Sequence, residues 1–296
     1  MRRPLFLFMM LAWINAFPCL FSQSRGLVPR VFLEKEVSES SGLLFVDGTL
    51  WTFNDSGGDP VLYAIDTSDG KIVRHVVIGN ARNEDWEAIA CDRRYVYIGD
   101  VGNNKGHRRI LSIYRISRAQ LQIPSLKEIK AETISFEYRK KQKRKQSGEK
   151  KEKNSNFYSS YDCEAMFCVS DTLYLLSKNW MNDDLTFVYA IPAVPGHYYI
   201  SPVGTVKTDG LVCDAALRPS DSGVLAITGY KDFMPFVSFY RVESLHPLRL
   251  HKTGGKTFVK YNGLQTEGIT FIDDHRLMIS CEGNKFFPAR LYRLEK

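Results

Sequence analysis

The chain has 296 residues, 44% of them apolar and 25% charged, with a formal net charge of +7. That length supports one large core, and the composition is that of an ordinary globular protein, which excludes a disordered, collagenous or disulfide-dense chain. The six cysteines include no CxxC pair, which argues against a zinc ribbon or a thioredoxin-type redox site.

At the N-terminus, Met1-Arg2-Arg3 precedes an apolar run from Leu5 to Phe17 and the polar Ser22-Gln23-Ser24. A basic start, a short apolar stretch and small residues describe a secretory signal peptide over residues 1–22. The alternative, a membrane anchor, is disfavoured because the run is short for a ~20-residue span and contains Asn15. Cys19 follows Ala16-Phe17-Pro18, a poor context for lipidation, and no other stretch is long and apolar enough to cross a bilayer. The expected address is secreted or periplasmic. After cleavage Cys91, Cys163, Cys168, Cys213 and Cys281 remain, an odd number read as buried free thiols, with a Cys163–Cys213 bridge as the one alternative.

From residue 27 onward the chain repeats itself. Three signatures recur in order, and self-similarity at a fixed period marks a repeat architecture. The first reads Ser40-Ser41-Gly42-Leu43, Asp85-Trp86-Glu87-Ala88-Ile89-Ala90, Asp162-Cys163-Glu164-Ala165-Met166, Val212-Cys213-Asp214-Ala215-Ala216 and Gln265-Thr266-Glu267-Gly268-Ile269. The second contains Leu50–Phe53, Val96–Gly99, Leu173–Leu176, Leu225–Thr228 and Leu277–Ser280. The third centres on Tyr63, Tyr114, Tyr189, Tyr240 and Tyr292, spaced 51, 75, 51 and 52 residues apart. Short β-rich runs bounded by Gly, Asp, Asn and Pro are strands. Fourth strands are expected at Ile72–Ile78, Glu132–Tyr138, Tyr199–Val206 and Thr257–Tyr261. The last repeat lacks one, and Arg30–Val37 is expected to supply it. The fold class is therefore all-β, a single five-bladed β-propeller over 27–296 with four strands per blade, its ring closed by an N-terminal strand.

The long interval between the second and third tyrosines contains a basic block, at about 139–156, where nine of the fifteen residues from Arg139 to Lys153 are Lys or Arg. Such a block cannot be buried and reads as a surface insertion between blades two and three. The competing reading, an anionic or nucleic-acid patch, lacks interleaved aromatics. No nucleic-acid partner is expected, and a monomer is.

In a propeller blade the first strand lies nearest the axis, and the second returns to the face where the first began. The first-strand starts therefore bring Ser41, Glu87, Glu164, Asp214 and Glu267 to one mouth of the axial channel. The same face should receive Asn54, Asp55, Asp100, Asn103, Lys178, Asn179, Tyr230 and Glu282 from second-strand ends, with Asp85, Trp86, Asp162 and Asp209 on the rim. These are the candidate ligand-binding residues. Like charges brought together raise one another's pKa, and a cation relieves the conflict. Hard oxygen donors without His suit calcium or magnesium, and calcium's flexible shell suits an irregular ring. The alternative is that these acids cap blade hydrogen bonds or pair with Arg108, Arg290, Lys178 or Lys231. None of the six His has metal-ligand spacing, and no G-x-S-x-G elbow is present.

The ring Ser41-Gly42-Leu43, Glu87-Ala88-Ile89, Glu164-Ala165-Met166, Asp214-Ala215-Ala216 and Glu267-Gly268-Ile269 resembles that of the calcium-activated apyrases, with Asp214 standing where that family has Ser. That resemblance implies a five-bladed propeller with axial Ca2+ and hydrolysis of nucleoside diphosphates. The fuller phrases Leu50-Trp51-Thr52-Phe53-Asn54-Asp55-Ser56-Gly57-Gly58, Asp85–Ala90 and Ile98-Gly99-Asp100-Val101-Gly102-Asn103-Asn104 are more similar to exported bacterial propellers of the SdiA-regulated and phytase-esterase-like type. The expectation is an exported propeller that binds a divalent cation in its axial channel and a small-molecule, glycan or peptide ligand at that mouth. A metal-assisted hydrolase of phosphate or glycosidic bonds is the alternative.

Overall fold

The computed structural model describes residues 26–139, 159–245 and 247–295. The leader and the basic block from residue 140 lie outside the described residues. Five sheets, antiparallel apart from one added parallel edge strand in each of two of them, form a ring of five blades. Their innermost strands are Ser40–Val46, Trp86–Cys91, Cys163–Val169, Leu211–Leu217 and Thr266–Phe271, and each packs beside the next around the axis. The second strands are Thr49–Asn54, Tyr95–Asp100, Thr172–Ser177, Val224–Lys231 and Leu277–Cys281.

Closure works as the repeat count requires. Gly26–Phe32 pairs antiparallel with Arg290–Glu295 and completes the fifth blade. The start and end of the described chain thus share one sheet, which leaves no unpaired edge between the first and last repeats. The closing strand lies a few residues upstream of the expected 30–37. Two outer strands also differ from expectation. Gly196–Ile200 leaves blade three and pairs in parallel with Glu132–Tyr138 of blade two, so the fourth strand of blade three is Gly204–Lys207. In blade four the outer strand is Leu248–Thr257, and Val259–Tyr261 is a 3-10 turn. Outer strands face water on one side, so their apolar pattern is weak and their bounds are poorly encoded.

Five apolar clusters hold the ring, each wedged between two neighbouring blades. The repeated tyrosines Tyr63, Tyr114, Tyr189, Tyr240 and Tyr292 are all buried in them. Blades one and two, for example, meet through Phe53 and Trp86, edge to face at 5.6 Å between ring centroids, a geometry worth about 0.5–1.5 kcal/mol beyond area burial. Because the cores lie between blades, the axis itself is left to the innermost strand edges. Among the described residues, no helix is long and apolar enough to cross a membrane.

Candidate functional site

Each blade breaks its inner hydrogen-bond register at one residue. Trp86 pairs with Asp100 and Ala88 with Gly99, so Glu87 is extra. Cys163 pairs with Ser177 and Ala165 with Leu176, which leaves out Glu164. The same break skips Cys213 in blade four and Glu267 in blade five, and in blade one it falls at Ser41-Gly42. A β-bulge releases one residue from the ladder and re-aims its side chain. The fold therefore builds a ring of bulge residues: Ser41, Glu87, Glu164, Cys213 and Glu267.

Two further tiers follow from the same register. The residue after each second-strand partner gives Asp55, Val101, Lys178, Tyr230 and Glu282. The residue before each first-strand partner gives Glu39, Asp85, Asp162, Leu211 and Gln265. The tiers are tied by backbone hydrogen bonds from Asp55 N to Glu39 O, Val101 N to Asp85 O, Lys178 N to Asp162 O and Glu282 N to Gln265 O, at 2.9, 3.1, 2.7 and 3.1 Å. Carboxyl groups dominate these positions, and Lys178 is the single ammonium among them.

The ring divides into two halves. In one, Glu164 Oε2 accepts from Lys178 Nζ at 2.6 Å, with both side chains buried. Oxygen or sulfur atoms of Glu164, Cys213 and Glu267 lie within 4.8 Å of one another, and the Cys213 thiol donates to Glu267. The Lys178 ammonium also lies 5.1 Å from the ring centroids of both Trp180 and Tyr230. Burial works against its charge, but Cys213, Glu164 and Glu267 outweigh that and hold it protonated. Burial likewise pushes the Glu164 carboxyl up while Lys178 pulls it back.

In the other half, carboxylate oxygens of Asp55, Asp85 and Glu87 lie within 4.8 Å of one another. Ser41 Oγ donates to Glu87 Oε2 at 2.7 Å, and Asp55 is hydrogen-bonded to Glu87. Among the described residues no Lys or Arg forms an ion pair with this trio, and the Lys178 ammonium acts on Asp55 only from a greater distance, lowering it against burial. Burial, then Glu164 and Asp55, drives the Glu87 carboxyl well above its ordinary range. Burial, then Asp55 and Asp162, raises Asp85 to about 7, against a weaker pull from Arg108. Gly102 belongs here for a steric reason, since a Cβ on it would lie 2.3 Å from Asp85 Oδ2. Glu282, whose Oε2 accepts from Gln265 Nε2 at 3.1 Å, is raised to about 7 by burial and then by Glu267 and Asp55.

Several expected site residues have other work. Asp214 is one residue out of step with the ring. Its carboxylate accepts backbone N–H groups of Ala215 at 2.7 Å and Ile269 at 2.8 Å, with Leu43 as a third donor. These three residues follow equivalent positions in blades four, five and one, so Asp214 caps innermost strand edges at the axis. Burial pushes its carboxyl up and the three donors oppose this. Trp86, expected on the rim, is fully buried between blades, with Nε1 donating to Arg82 O at 2.8 Å. Asp209 lies out along blade four, held by Ser238 and by Lys252 of the outer strand. Asp100 pairs with Arg108 at 2.7 Å and accepts from Asp85 N at 2.9 Å. Asp162 accepts from Asn103 N and Trp180 Nε1, both at 2.7 Å. Asn103 clasps the Arg108 backbone, Asn179 donates to Leu185 O, and Asn54 donates to Glu36 O. Asp100, Asp162, Asn103, Asn179 and Asn54 thus shape the mouth from behind. The expected alternative partners divide likewise: Arg108 and Lys178 pair with mouth acids, and Lys231 turns outward to Asp183 and Asp184. No Cys163–Cys213 bridge forms, and Cys163 Sγ instead lies 3.1 Å from Tyr138 Oη.

Sequence reasoning missed Cys213, Glu39 and Gln265. Aligning the repeats on the nearest acid selects Asp214. Aligning them on the buried residue before the bulge, Trp86, Cys163, Val212 and Thr266, selects Cys213.

No family profile matches the chain, and no curated protein sequence does. Solved structures do. The PQQ-bound form of aldose sugar dehydrogenase from Streptomyces coelicolor is similar over 92% of this chain and 97% of its own, at 13% identity and a TM-score of 0.50. The Cps50 (Swd1) β-propeller domain of Myceliophteria thermophila matches over 91% and 86%, at 12% identity and a TM-score of 0.47. At 13% identity the likeness to the dehydrogenase is one of fold alone, which agrees with the propeller described above.

Proposed function

We propose that this chain is an exported propeller whose axial mouth holds one divalent cation between Asp55, Asp85 and Glu87 and presents it to a small ligand. The observation that carries this is the approach of three carboxyl groups within 4.8 Å of one another, none of them ion-paired to a Lys or Arg among the described residues. Three carboxylates this close repel strongly in a partly desolvated site. In the metal-free chain burial raises the Asp55 and Glu87 carboxyls, which favours their protonated forms. A divalent cation relieves the repulsion more completely at neutral pH. The donors are hard oxygens from flexible side chains, with the Ser41 hydroxyl beside them, a set that suits calcium. Thiol and imidazole are absent from this half, which disfavours zinc.

The test is a calcium titration of the purified mature chain, followed by calorimetry and by the melting temperature. One ion should bind and raise the melting temperature, because a ligand that binds only the folded state stabilises it. Glu87→Gln and Asp85→Asn should each abolish the rise. A melting temperature indifferent to millimolar calcium would remove the proposal.

Metal-assisted hydrolysis is the second reading, and the surroundings of Glu282 favour it. Burial, then Glu267 and Asp55, pushes its carboxyl up to about 7, where a carboxyl serves as general acid or base, and Glu282 is not one of the three proposed cation ligands. Turnover of nucleotides, phosphomonoesters or arylglycosides, lost in Glu282→Gln, would support it. No turnover across that panel leaves a binding protein.

A further inference from the structure

We infer that the Glu164–Cys213–Glu267 half of the ring is a second cation pocket, filled by the chain's own Lys178 ammonium, which limits the mouth to a single divalent ion. This rests in part on the reading above, since it explains why only one of two comparable clusters would take an ion.

Each cluster gathers three donor atoms within 4.8 Å of one another. Glu164, Cys213 and Glu267 are the bulge residues of blades three, four and five, whereas Glu87 is the bulge residue of blade two, joined by Asp85 and Asp55 from the flanking tiers of blades two and one. The clusters differ in what neutralises them. Lys178 Nζ reaches Glu164 Oε2 at 2.6 Å, and only 5% of Lys178 is exposed. Two aromatic faces, Trp180 and Tyr230, lie 5.1 Å from the same nitrogen. Carboxylates on one side and ring faces on the other are what a desolvated cation needs.

The repeat shows that this ammonium is a local addition. At the position of Lys178 the other blades carry Asp55, Val101, Tyr230 and Glu282, so blade geometry makes no demand for lysine there. Without Lys178, the pocket would present two carboxylates and a thiol. That donor set suits a thiophilic divalent ion such as zinc or cadmium better than calcium.

The test compares the mature wild-type chain with Lys178→Met and Lys178→Arg. Wild type and Lys178→Arg should bind one divalent ion. Lys178→Met should bind a second, with cadmium affinity raised at least tenfold and a thiolate-to-cadmium charge-transfer band that Cys213→Ser removes in the same background. Should Lys178→Met fail to fold, Lys178→Gln, which keeps a donor toward Glu164, carries the same measurement. Cadmium binding unchanged from wild type, with no such band, overturns the inference. So does a cadmium–thiolate band at Cys213 in the wild-type chain. A wild type that binds no calcium while Lys178→Met gains the cadmium site defeats the proposed function and leaves this inference standing.

Discussion

Asp214 Oδ2 accepts the backbone N–H of Ile269 at 2.8 Å, a contact between the neighbouring innermost strands of blades four and five. With Ala215 and Leu43 as further donors, one carboxylate satisfies N–H groups from three strands that have no ladder partner on the channel side. Buried donors left unsatisfied cost about 1–3 kcal/mol each. Asp214→Ala should therefore destabilise the chain by about 3 kcal/mol or more, read from urea unfolding. Asp214→Asn, which keeps one acceptor oxygen, should cost less. Neither should lower calcium affinity in the fraction that folds.

The two halves of the ring should respond differently to the same type of substitution. Glu87→Gln removes a donor from the cluster without an ammonium, and Glu267→Gln removes one from the cluster beside Lys178. The calcium-induced rise in melting temperature should vanish in the first and persist in the second. Loss in both would mean that one ion spans the whole ring.

Breaking the buried pair at Lys178 should be costly. Glu164→Gln strips the nearest carboxylate from an ammonium that is 5% exposed, and an uncompensated buried charge costs about 3–5 kcal/mol. Adding Lys178→Met to Glu164→Gln should recover a large part of that loss. Urea midpoints of the two single variants and the double variant complete the cycle, and additive losses would contradict the pairing.

Glu282 makes a prediction about pH. Burial, then Glu267 and Asp55, raises its carboxyl to about 7 in the folded chain, whereas an unfolded chain titrates near ~4.3. Between those values the folded state binds the extra proton. Stability of the chelator-treated protein should therefore fall as pH rises through this window and level off above about 7. Asp85 acts in the same sense. Glu282→Gln should flatten the slope of unfolding free energy against pH, and an unchanged slope would assign it to other groups.

Removing the closing strand should open the ring. Deletion of Gly26–Phe32 leaves Arg290–Glu295 as an exposed edge and removes Leu27, which is 1% exposed in the core between blades four and five, leaving a gap there. The truncated chain should melt well below the full one and associate through that edge, visible in light scattering.

The propeller was legible in the sequence because its cause is local and repeated. Alternating apolar residues, turn residues between them and a buried tyrosine in each blade recur at near-constant spacing. A repeat that cannot bury its own face must stack on its neighbours. The outer strands were less legible. Gly196–Ile200 crosses to blade two, and the pairing of a half-exposed strand is decided by which neighbour offers a free edge.

The sequence by itself determined the number of blades, the closure through the N-terminal strand and the convergence of acids on one mouth. Only the tertiary structure decided which side chain in each blade meets the axis. That choice depends on where the bulge falls, and a shift of one residue reverses the direction of a side chain. It also decided the division of charge. The pairing of Lys178 with Glu164, and the absence among the described residues of an ion-pair partner for Asp55, Asp85 and Glu87, depend on distances between blades that no spacing along the chain encodes.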